Sequence, residues 1–402
     1  MQGAVLTPAQ AETVIAARLA LLPTEPCPLE RAAGRVLREP VSADLDQPPF
    51  DRVAMDGIAL ALADFARGTR AFRVAGVVAA GAPPLALPAA DSCLEVMTGA
   101  VLPPGTDVVV PVEDLSVADG IATLGADARI TSFANVHRRA SDAAAGTRLL
   151  APGTYLRGPE LAIAASAGCT LLLVSREPRI AVVSTGDELV PPGTQPAAWQ
   201  VRRSNAYGIA ATLRGHGYGE LTDSHVPDDP ARIRAVLEEH LASCDVLILS
   251  GGVSAGRFDH VPAVLAELGV ERIFHRVAQR PGKPLWFGVR GDGRCVFALP
   301  GNPVSTLVCL VRYVIPALMH LRGAVPDGPT FAPLLETWES RHGLTAFLPV
   351  DRHGPGDPPG ALRAHPTHGS GDFVALAGTA GFVELAPGQR WEPGSLAPLY
   401  TW

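Results

Sequence analysis

The pattern of apolar and polar positions divides the chain into segments with different predicted secondary structure. Thr7, Pro8 and Gln10 open a stretch in which apolar residues recur at helical spacing, and Pro23 ends it. An N-cap threonine, a proline at the first helical position and a glutamine three residues after the cap predict a capped helix. A second helical pattern, PELAIAASAG from Pro159, is expected to pack beside the first.

The pattern of apolar and turn residues then changes twice along the chain. From about residue 71 to residue 124, short β-prone runs between turn residues predict a small all-β unit inserted into the helical unit. From about residue 179 to residue 321, continuous apolar strands alternate with helical patterns, which is typical of a mostly parallel sheet with helices on both faces. After residue 326 short strands return. We predict a multidomain α/β plus β fold with four domains: an elongated helical domain (1–45 plus 140–177), an inserted small β domain (46–139), a central three-layer α/β domain (178–326) and a C-terminal small β domain (327–402).

Three apolar runs of the α/β segment each end in a small, glycine-rich turn. These runs are RIAVVSTGDEL from Arg179, DVLILSGGVSAGRFD from Asp245 and CVFALPGNPVSTL from Cys295. Open α/β sheets bind ligands at the carboxyl ends of their strands, and the free N–H groups where a helix restarts suit an anion. The three turns together therefore predict an anion site at one edge of the sheet.

Charged residues beside these turns narrow the kind of ligand. The segment RPGKP supplies Arg280 and Lys283, and Lys283 either contacts an anion or forms a buried salt bridge. Glu188 and Asp259 follow the first and second turns, where they either bind a divalent cation or cap helices. Phosphate-binding backbone, cations and carboxylates together indicate a phosphorylated ligand held with a metal ion.

Composition excludes several classes of protein. The 402 residues carry 40 acidic and 33 basic side chains, a net charge of -7, which argues against nucleic-acid and membrane partners. Six scattered cysteines without Cys-x-x-Cys spacing indicate thiols in a reducing compartment. No secretory segment is visible, and the apolar stretches 161–174 and 306–321 are interrupted and expected to be too short for a membrane span. We expect a cytoplasmic protein.

Some candidate residues have more than one interpretation. Ser254 lies in a Gly-x-Ser-x-Gly match, so it is either a nucleophile or an anion contact, and the residues that follow before the next helical pattern favour the contact. Asp56 lies in an Asp-Gly pair, for which the residues alone favour an ordinary turn. Asp142 follows Arg138 and Arg139, as in a surface ion-pair cluster.

Taken in order, these segments resemble the MoeA-type molybdopterin molybdotransferases, the family that includes the gephyrin E domain. The matching segments cover nearly the whole chain: RAAGRVLREPVSADLDQPPFDRVAMDG, VMTGAVLPPGTDVVV, STGDELVPPG, ILSGGVSAGRFD, RPGKP, ALPGNPVS and GSGD. The resemblance implies a transferase of molybdenum cofactor biosynthesis that inserts molybdate into adenylylated molybdopterin with Mg²⁺ and releases AMP. It also implies a homodimer with its site between the subunits, and partners among molybdoenzymes or cofactor-pathway proteins.

The resemblance also implies the residues of the site. The implied catalytic residues are Asp56, Asp142, Glu188 and Asp259, of which Glu188 and Asp259 would hold the metal. The implied substrate-binding residues are Thr98, Ser184, Gly251, Gly252, Ser254, Arg280, Lys283, Pro300, Ser305 and Ser370.

Several positions depart from the family pattern, including the following three. His137 stands where the pattern has arginine, Ser141 where it has glutamate, and Arg203 where it has an acid. These departures motivate a second hypothesis, a diverged non-catalytic paralogue that binds molybdopterin or the finished cofactor and delivers it to a molybdoenzyme. A third hypothesis is a scaffold that keeps the fold for protein interaction.

Overall fold

The structure is a computed structural model that describes residues 5–252, 260–326, 328–339, 343–352, 358–365 and 367–402. Its first helix, α1 (Pro8–Arg18), has the predicted capping box: Gln10 N donates to Thr7 Oγ1 (3.3 Å), and Thr7 N donates to Gln10 Oε1 (2.9 Å). The helix ends at Arg18, before the predicted stop at Pro23.

Short strands dominate the chain up to residue 175. The elements after α1 are β1 (Thr24–Pro28), β2 (Val41–Ser42), β3 (Arg52–Val53), β4 (Gly57–Leu60), α2 (Leu62–Ala66), β5 (Ala71–Val78), β6 (Ser92–Val96), β7 (Val108–Pro111), β8 (Leu115–Ala118), β9 (Ile121–Leu124), β10 (Val136–His137), β11 (Arg148–Leu150), α3 (Gly158–Ser166) and β12 (Leu171–Ser175). The order β7-β4-β6-β5-β9-β8 forms a six-stranded sheet with apolar clusters on both faces, as predicted for this segment.

The segments on either side of this sheet join each other. β1 pairs with β12 and β2 with β11, around a core that includes Leu37, Leu156 and Ala164. Helix α3 belongs to this core, whereas Ala11 and Ile15 of α1 pack into the core of the α/β sheet. The expectation that the two helices pack beside each other was wrong, because the apolar face of α1 is covered by a different part of the chain.

A mostly parallel sheet forms the centre of the molecule, as predicted. The elements here are β13 (Ile180–Thr185), β14 (Leu189–Val190), β15 (Val201–Arg202), α4 (Asn205–Gly215), β16 (Leu221–Val226), α5 (Pro230–Ser243), β17 (Val246–Ser250), α6 (Val261–Glu267), β18 (Val270–His275), β19 (Gln279–Arg280), β20 (Trp286–Arg290), β21 (Cys295–Leu299), α7 (Pro303–Cys309), a π-helical turn (Leu310–Val314) and α8 (Ile315–Leu321). The strand order is β16-β13-β17-β21-β20-β18, in which the first four strands are parallel and β20 is antiparallel to both of its neighbours, β21 and β18. Helices cover both faces, with separate apolar cores on each.

Helix α7, the π-helical turn and α8 form one continuous helix, Pro303–Leu321. Among the described residues it is the one helix long and apolar enough to cross a membrane, but 78% of it is buried inside the molecule, as in a core helix of a soluble fold. The expectation that this stretch is too short for a span was wrong, because the helix continues through Arg312 and Pro316. Arg312 is tolerated there because its guanidinium pairs with Glu12 and Glu384, each at 2.8 Å.

The C-terminal part of the chain forms another β sheet, which packs against the α/β part of the molecule. The C-terminal elements are β22 (Thr330–Pro333), β23 (Trp338–Glu339), β24 (Thr345–Arg352), β25 (Leu362–Ala364), β26 (Gly381–Leu385), β27 (Arg390–Trp391) and β28 (Leu396–Thr401). Strands β23 and β27 pair with each other in a separate two-stranded sheet. The larger sheet has the order β19-β24-β26-β28-β22, with β25 paired to β24. Strand β19 (Gln279–Arg280), which includes the first residue of the RPGKP segment, therefore belongs to this sheet. Val304 and Val308 of α7 pack against Phe347 and Phe382 of this sheet.

Candidate active site

The three glycine-rich turns meet at one edge of the central sheet. Because β13, β17 and β21 are adjacent and parallel, their carboxyl ends lie side by side. The residues after them line one cleft of about 1510 Å³. The cleft is lined by Thr185, Gly186, Glu188, Asp228, Gly251, Gly252, Arg280, Lys283, Pro300, Gly301, Asn302 and Ser305 from the α/β part, and by residues of the C-terminal sheet such as Trp338, Phe347, Ser370 and Arg390.

The glycines of the second turn are required by geometry. Gly251 and Gly252 have φ of +96° and +69°, a region that L side chains rarely adopt. A Cβ atom on Gly251 would lie 2.9 Å from the Thr185 carbonyl oxygen, and one on Gly252 would lie 2.8 Å from Thr185 Oγ1 and from Val261 Cγ2. The second turn therefore packs directly on the end of β13, which brings its backbone to the cleft.

Only some of the expected helix N-termini occur. After the first turn, β14 and β15 intervene before α4 begins, so the expectation of a helix there was wrong. The third turn does lead straight into α7, with Asn302 at its N-cap. Ser370 ties this turn to the C-terminal part: its carbonyl accepts from Val304 N (3.2 Å), and its Oγ accepts from Asn302 Nδ2 (2.7 Å). Ser305 is buried at the start of the helix and lines the cleft.

The cations of the RPGKP segment face this edge. Arg280 and Lys283 are exposed and line the cleft. Within the part of the chain that the structure describes, no carboxylate lies within ion-pair distance of the Lys283 ammonium group, so its predicted alternative, a buried salt bridge, does not occur there. An exposed ammonium group without a described carboxylate partner suits an anionic ligand.

Two carboxylates line the same cleft. Glu188 follows the first turn as predicted, and Asp228 follows β16, the neighbour of β13. Neither carboxylate accepts a hydrogen bond or an ion pair from any described residue. Sequence reasoning missed Asp228, although an acid directly after a strand of a parallel sheet is the signal that identified Glu188.

This donor set fits a hard divalent cation. Mg²⁺ is commonly held by one or two carboxylates together with phosphate oxygens of a substrate, and two carboxylates without a described partner in one cleft offer that arrangement. Groups of three or more His, Cys, Asp and Glu side chains placed to hold a metal are absent from the described ranges. Asp259, the other predicted ligand, and Ser254 lie outside the described residues.

Buried polar atoms lie beneath the turns. Asn205, at the start of α4, donates through Nδ2 to Ser250 Oγ (2.9 Å) and to the Gly301 carbonyl (2.7 Å), so it links the second and third turns. Among the described residues, Asn205 Oδ1, Ser184 Oγ and Thr185 Oγ1 are buried without a hydrogen-bond partner. Thr185 lines the cleft, whereas Ser184, one of the predicted substrate contacts, does not. The predictions did not assign a role to Asn205.

Asp56 and Thr98 form a separate pair near the six-stranded β sheet. Asp56 Oδ1 accepts from Thr98 N (2.6 Å) and from Thr98 Oγ1 (2.7 Å). The side-chain and backbone hydrogen bonds from Thr98 lower the pKa of Asp56 below its usual value. Asp56 is therefore an exposed, ionised carboxylate held in one orientation.

Asp142 lies in a second polar group together with His137, which departs from the family pattern. His137 Nε2 lies 2.7 Å from Asp142 Oδ1, and Nδ1 of the same ring lies 3.0 Å from Arg52 Nη2. The hydrogen bond with His137 lowers the pKa of Asp142. Ser141 Oγ also donates to Asp142 Oδ1 at 3.3 Å. Asp56, Thr98 and Asp142 are not among the residues that line the cleft.

Arg203, another residue that departs from the family pattern, forms an ion pair within the chain. Its guanidinium binds both carboxylate oxygens of Asp223 on β16, at 3.0 and 2.7 Å. Only 14% of the Arg203 side chain is exposed, and it does not line the cleft. Arg203 therefore adds no unpaired positive charge to the candidate site.

The fold and the site define an α/β protein with a cleft lined by cations and carboxylates at the carboxyl edge of its sheet, and the comparisons specify its family. Residues 6–168 match the MoeA N-terminal region (domains I and II), and residues 181–320 match a probable molybdopterin binding domain. A molybdopterin molybdenumtransferase of Synechocystis is 41% identical over 92% of this chain and 93% of its own length. One from Nostoc is 34% identical over 92% of this chain and 86% of its own length.

Solved structures agree with the sequence comparison. The molybdopterin biosynthesis MoeA protein from Pyrococcus horikosii has a TM-score of 0.78 and 28% identity, and the match covers 99% of both chains. The chain therefore belongs to the MoeA family of molybdopterin molybdenumtransferases. The resemblance and the multidomain fold class predicted from sequence are confirmed.

Proposed function

We propose that this chain is a transferase of molybdenum cofactor biosynthesis that inserts molybdate into adenylylated molybdopterin in the cytoplasm. In this reaction the pyrophosphate linkage of the pterin substrate is cleaved and AMP is released. Membership of the family and the match to a molybdopterin binding domain support the class of reaction and the pterin substrate.

One observation carries the proposal: a single cleft brings together the glycine-rich turns, an ammonium group and two carboxylates, and none of these charged groups has an ion-pair partner among the described residues. The backbone N–H groups of the turns and Lys283 would bind the oxygens of a pyrophosphate, and Arg280 would add charge on the same side. Ser305, Pro300 and Ser370 border the same volume, where they would contact the substrate.

Glu188 and Asp228 would hold the Mg²⁺ ion, with the predicted ligand Asp259 as a third. The ion would supply positive charge that neutralises the pyrophosphate and its leaving group. The carboxylates have no cation of their own in the described part of the chain, so a metal would give both of them a partner.

The second part of the proposed site comes from another subunit. Asp56, Thr98 and Asp142 lie outside the cleft, but Asp56 and Asp142 are exposed and oriented by hydrogen bonds. We infer a homodimer in which these residues complete the cleft of the partner subunit and orient molybdate. The domain boundaries predicted from sequence, with the inserted β domain at 46–139 carrying Asp56 and Thr98, belong to the same proposal.

Two of the residues that depart from the family pattern form hydrogen bonds or ion pairs within the chain, which favours the enzyme over the delivery paralogue. His137 is bound between Asp142 and Arg52, and Arg203 is paired with Asp223, so each substituted residue has partners within the chain. Neither one places an unmatched charge among the cleft residues.

AMP release tests the proposed function. Purified protein with adenylylated molybdopterin, Mg²⁺ and molybdate should release AMP, chelation of the metal should stop the release, and added Mg²⁺ should restore it. Lys283→Ala should reduce the release by a factor of about 100, since it removes a charged contact to the pyrophosphate. Tight binding of the pterin without AMP release would instead identify the delivery paralogue.

A further inference from the structure

Gln279 is a polar side chain buried at the floor of the cleft, directly before Arg280. It has no exposed surface, yet its amide is satisfied from three sides. Nε2 donates to the Pro281 carbonyl (3.1 Å) and to Cys309 Sγ (3.5 Å), and Oε1 accepts from the Tyr313 hydroxyl. Because a carbonyl can only accept, the amide has one orientation, and Tyr313 must be the donor.

The turn that carries Lys283 is folded around this amide. Gly282 has φ of +90°, and a Cβ atom there would lie 2.6 Å from both Gln279 Nε2 and Cys309 Sγ. Cys309 Sγ donates to the Gly282 carbonyl at 3.7 Å, and Val277 N donates to the Lys283 carbonyl at 2.9 Å. The path of the backbone from 280 to 283 is therefore fixed by contacts with one buried amide and one thiol.

The donor to Gln279 comes from the irregular part of the long helix. Tyr313 lies in the π-helical turn Leu310–Val314, and such turns in α-helices often occur at functional sites. Burial raises the pKa of the Tyr313 hydroxyl and of the Cys309 thiol, so both groups keep their protons and remain donors.

We propose that Gln279, held by Tyr313 and Cys309, is a positioning residue that aims Lys283 at the pyrophosphate oxygens of the substrate. The inference rests on the proposed function for the identity of the ligand. Gln279 acts through the turn: without its bond to the Pro281 carbonyl, the 280–283 backbone gains alternative conformations, and Lys283 must be ordered when the ligand binds.

Binding of Mg²⁺-pyrophosphate, measured by calorimetry, tests this role. Gln279→Met keeps the length and burial of the side chain but cannot donate to Pro281, and we expect about tenfold weaker binding. Tyr313→Phe removes one hydroxyl and should weaken binding about threefold. Tyr218→Phe is the matched control, since Tyr218 is buried in the same apolar core but does not line the cleft. It should bind pyrophosphate as the unaltered protein does.

A double-mutant cycle separates positioning from general destabilisation. In a Lys283→Ala background, Gln279→Met should weaken binding by less than about twofold, because the residue it positions is gone. Equal losses in both backgrounds, or unchanged binding by Gln279→Met, overturn the proposal. If Gln279→Met fails to fold, the same cycle with Tyr313→Phe decides.

The binding assay also keeps the two proposals apart. Unaltered protein that binds Mg²⁺-pyrophosphate but releases no AMP from adenylylated molybdopterin rejects the proposed function, and the cycle still decides the role of Gln279. Unaltered protein that binds no pyrophosphate overturns both.

Discussion

At the scale of single residues, the second glycine-rich turn leaves no space for a side chain. We expect Gly252→Ala to lower the free energy of unfolding by about 1–3 kcal/mol, because it combines a left-handed backbone with a Cβ atom too close to β13. The same variant should lose Mg²⁺-pyrophosphate binding. Urea unfolding and calorimetry measure the two effects.

Gly219→Ala is the control for this prediction, since a Cβ atom there meets nothing within 4 Å and its φ is not in the left-handed region. Its free energy of unfolding should stay within about 0.5 kcal/mol of the unaltered protein. A Gly252→Ala protein as stable as Gly219→Ala would contradict the packing of the second turn on Thr185.

Arg203 gives a second test at the residue scale. In the unaltered protein, Arg203 and Asp223 form a bidentate ion pair. Arg203→Asp restores the acid of the family pattern, but it places a second carboxylate beside that of Asp223. We expect a loss of about 1 kcal/mol in the free energy of unfolding, which the swap Arg203→Asp with Asp223→Arg should partly recover. An Arg203→Asp protein with unchanged stability and faster AMP release would instead show that Arg203 acts at the site.

The sequence allowed some site residues to be predicted and others not, for a physical reason. Lys283 and Glu188 stand beside recognisable turns, and the cleft brings them together. Asp228 and Asn205 follow no glycine motif, so their place depends on which strands are neighbours. Neighbour relations of strands are set by tertiary packing, which one sequence does not display.

At the scale of elements, the start of β17 is fixed by an ion pair that depends on pH. Asp245 accepts from both ends of the Arg176 guanidinium (2.8 and 2.9 Å) and from Arg179 N (2.7 Å). Burial alone would raise the pKa of Asp245, but the hydrogen bonds from Arg176 and Arg179 outweigh it, and the pKa is lowered. The folded protein therefore binds the Asp245 proton less readily than the unfolded chain does.

A lowered pKa contributes stability above the unfolded value of about 3.9, and this stability is lost as the pH falls through the folded value. We expect Asp245→Asn to be less stable at pH 7 and to show a smaller further loss of stability below about pH 4. Asp127→Asn, at an exposed acid with no described partner, is the control. Parallel pH dependence of all three proteins in urea unfolding would contradict the assigned role of the ion pair.

The elements themselves were predicted unevenly. Continuous apolar runs identified β13, β17 and β21, because strands buried on both faces carry few polar residues. The long helix through Pro316 was missed, since a proline ordinarily ends a helix and the preceding π-helical turn is not visible in the sequence. The partner of α1 was also wrong, because periodicity shows which face is apolar and not what covers it.

At the scale of the whole molecule, the proposed site is divided between two groups of residues on one chain. If each cleft is completed by the other subunit, Asp142→Ala and Lys283→Ala should each reduce AMP release by a factor of about 100 in their own homodimers. A mixed dimer of the two variants has one site with both changes and one with neither, so it should regain about half of the unaltered activity.

Differently tagged variants, co-expressed and purified through both tags, give the mixed dimer for this measurement. Asp127→Asn mixed with Lys283→Ala serves as the control and should show one functional cleft as well. No recovery in the mixed Asp142→Ala and Lys283→Ala dimer would place all the required residues in a single subunit.

Strand β19 connects the C-terminal sheet with the turn that carries Lys283. Its two residues belong to the C-terminal sheet through parallel pairing of Gln279 with Thr345 and of Arg280 with Ala346, while the next residues form the turn that carries Lys283. A rotation of the C-terminal sheet therefore displaces the Arg280 backbone. By thermodynamic reciprocity, an anion that fixes this turn also restricts the orientation of the C-terminal sheet, so that occupancy of the cleft and the arrangement of the domains are coupled quantities.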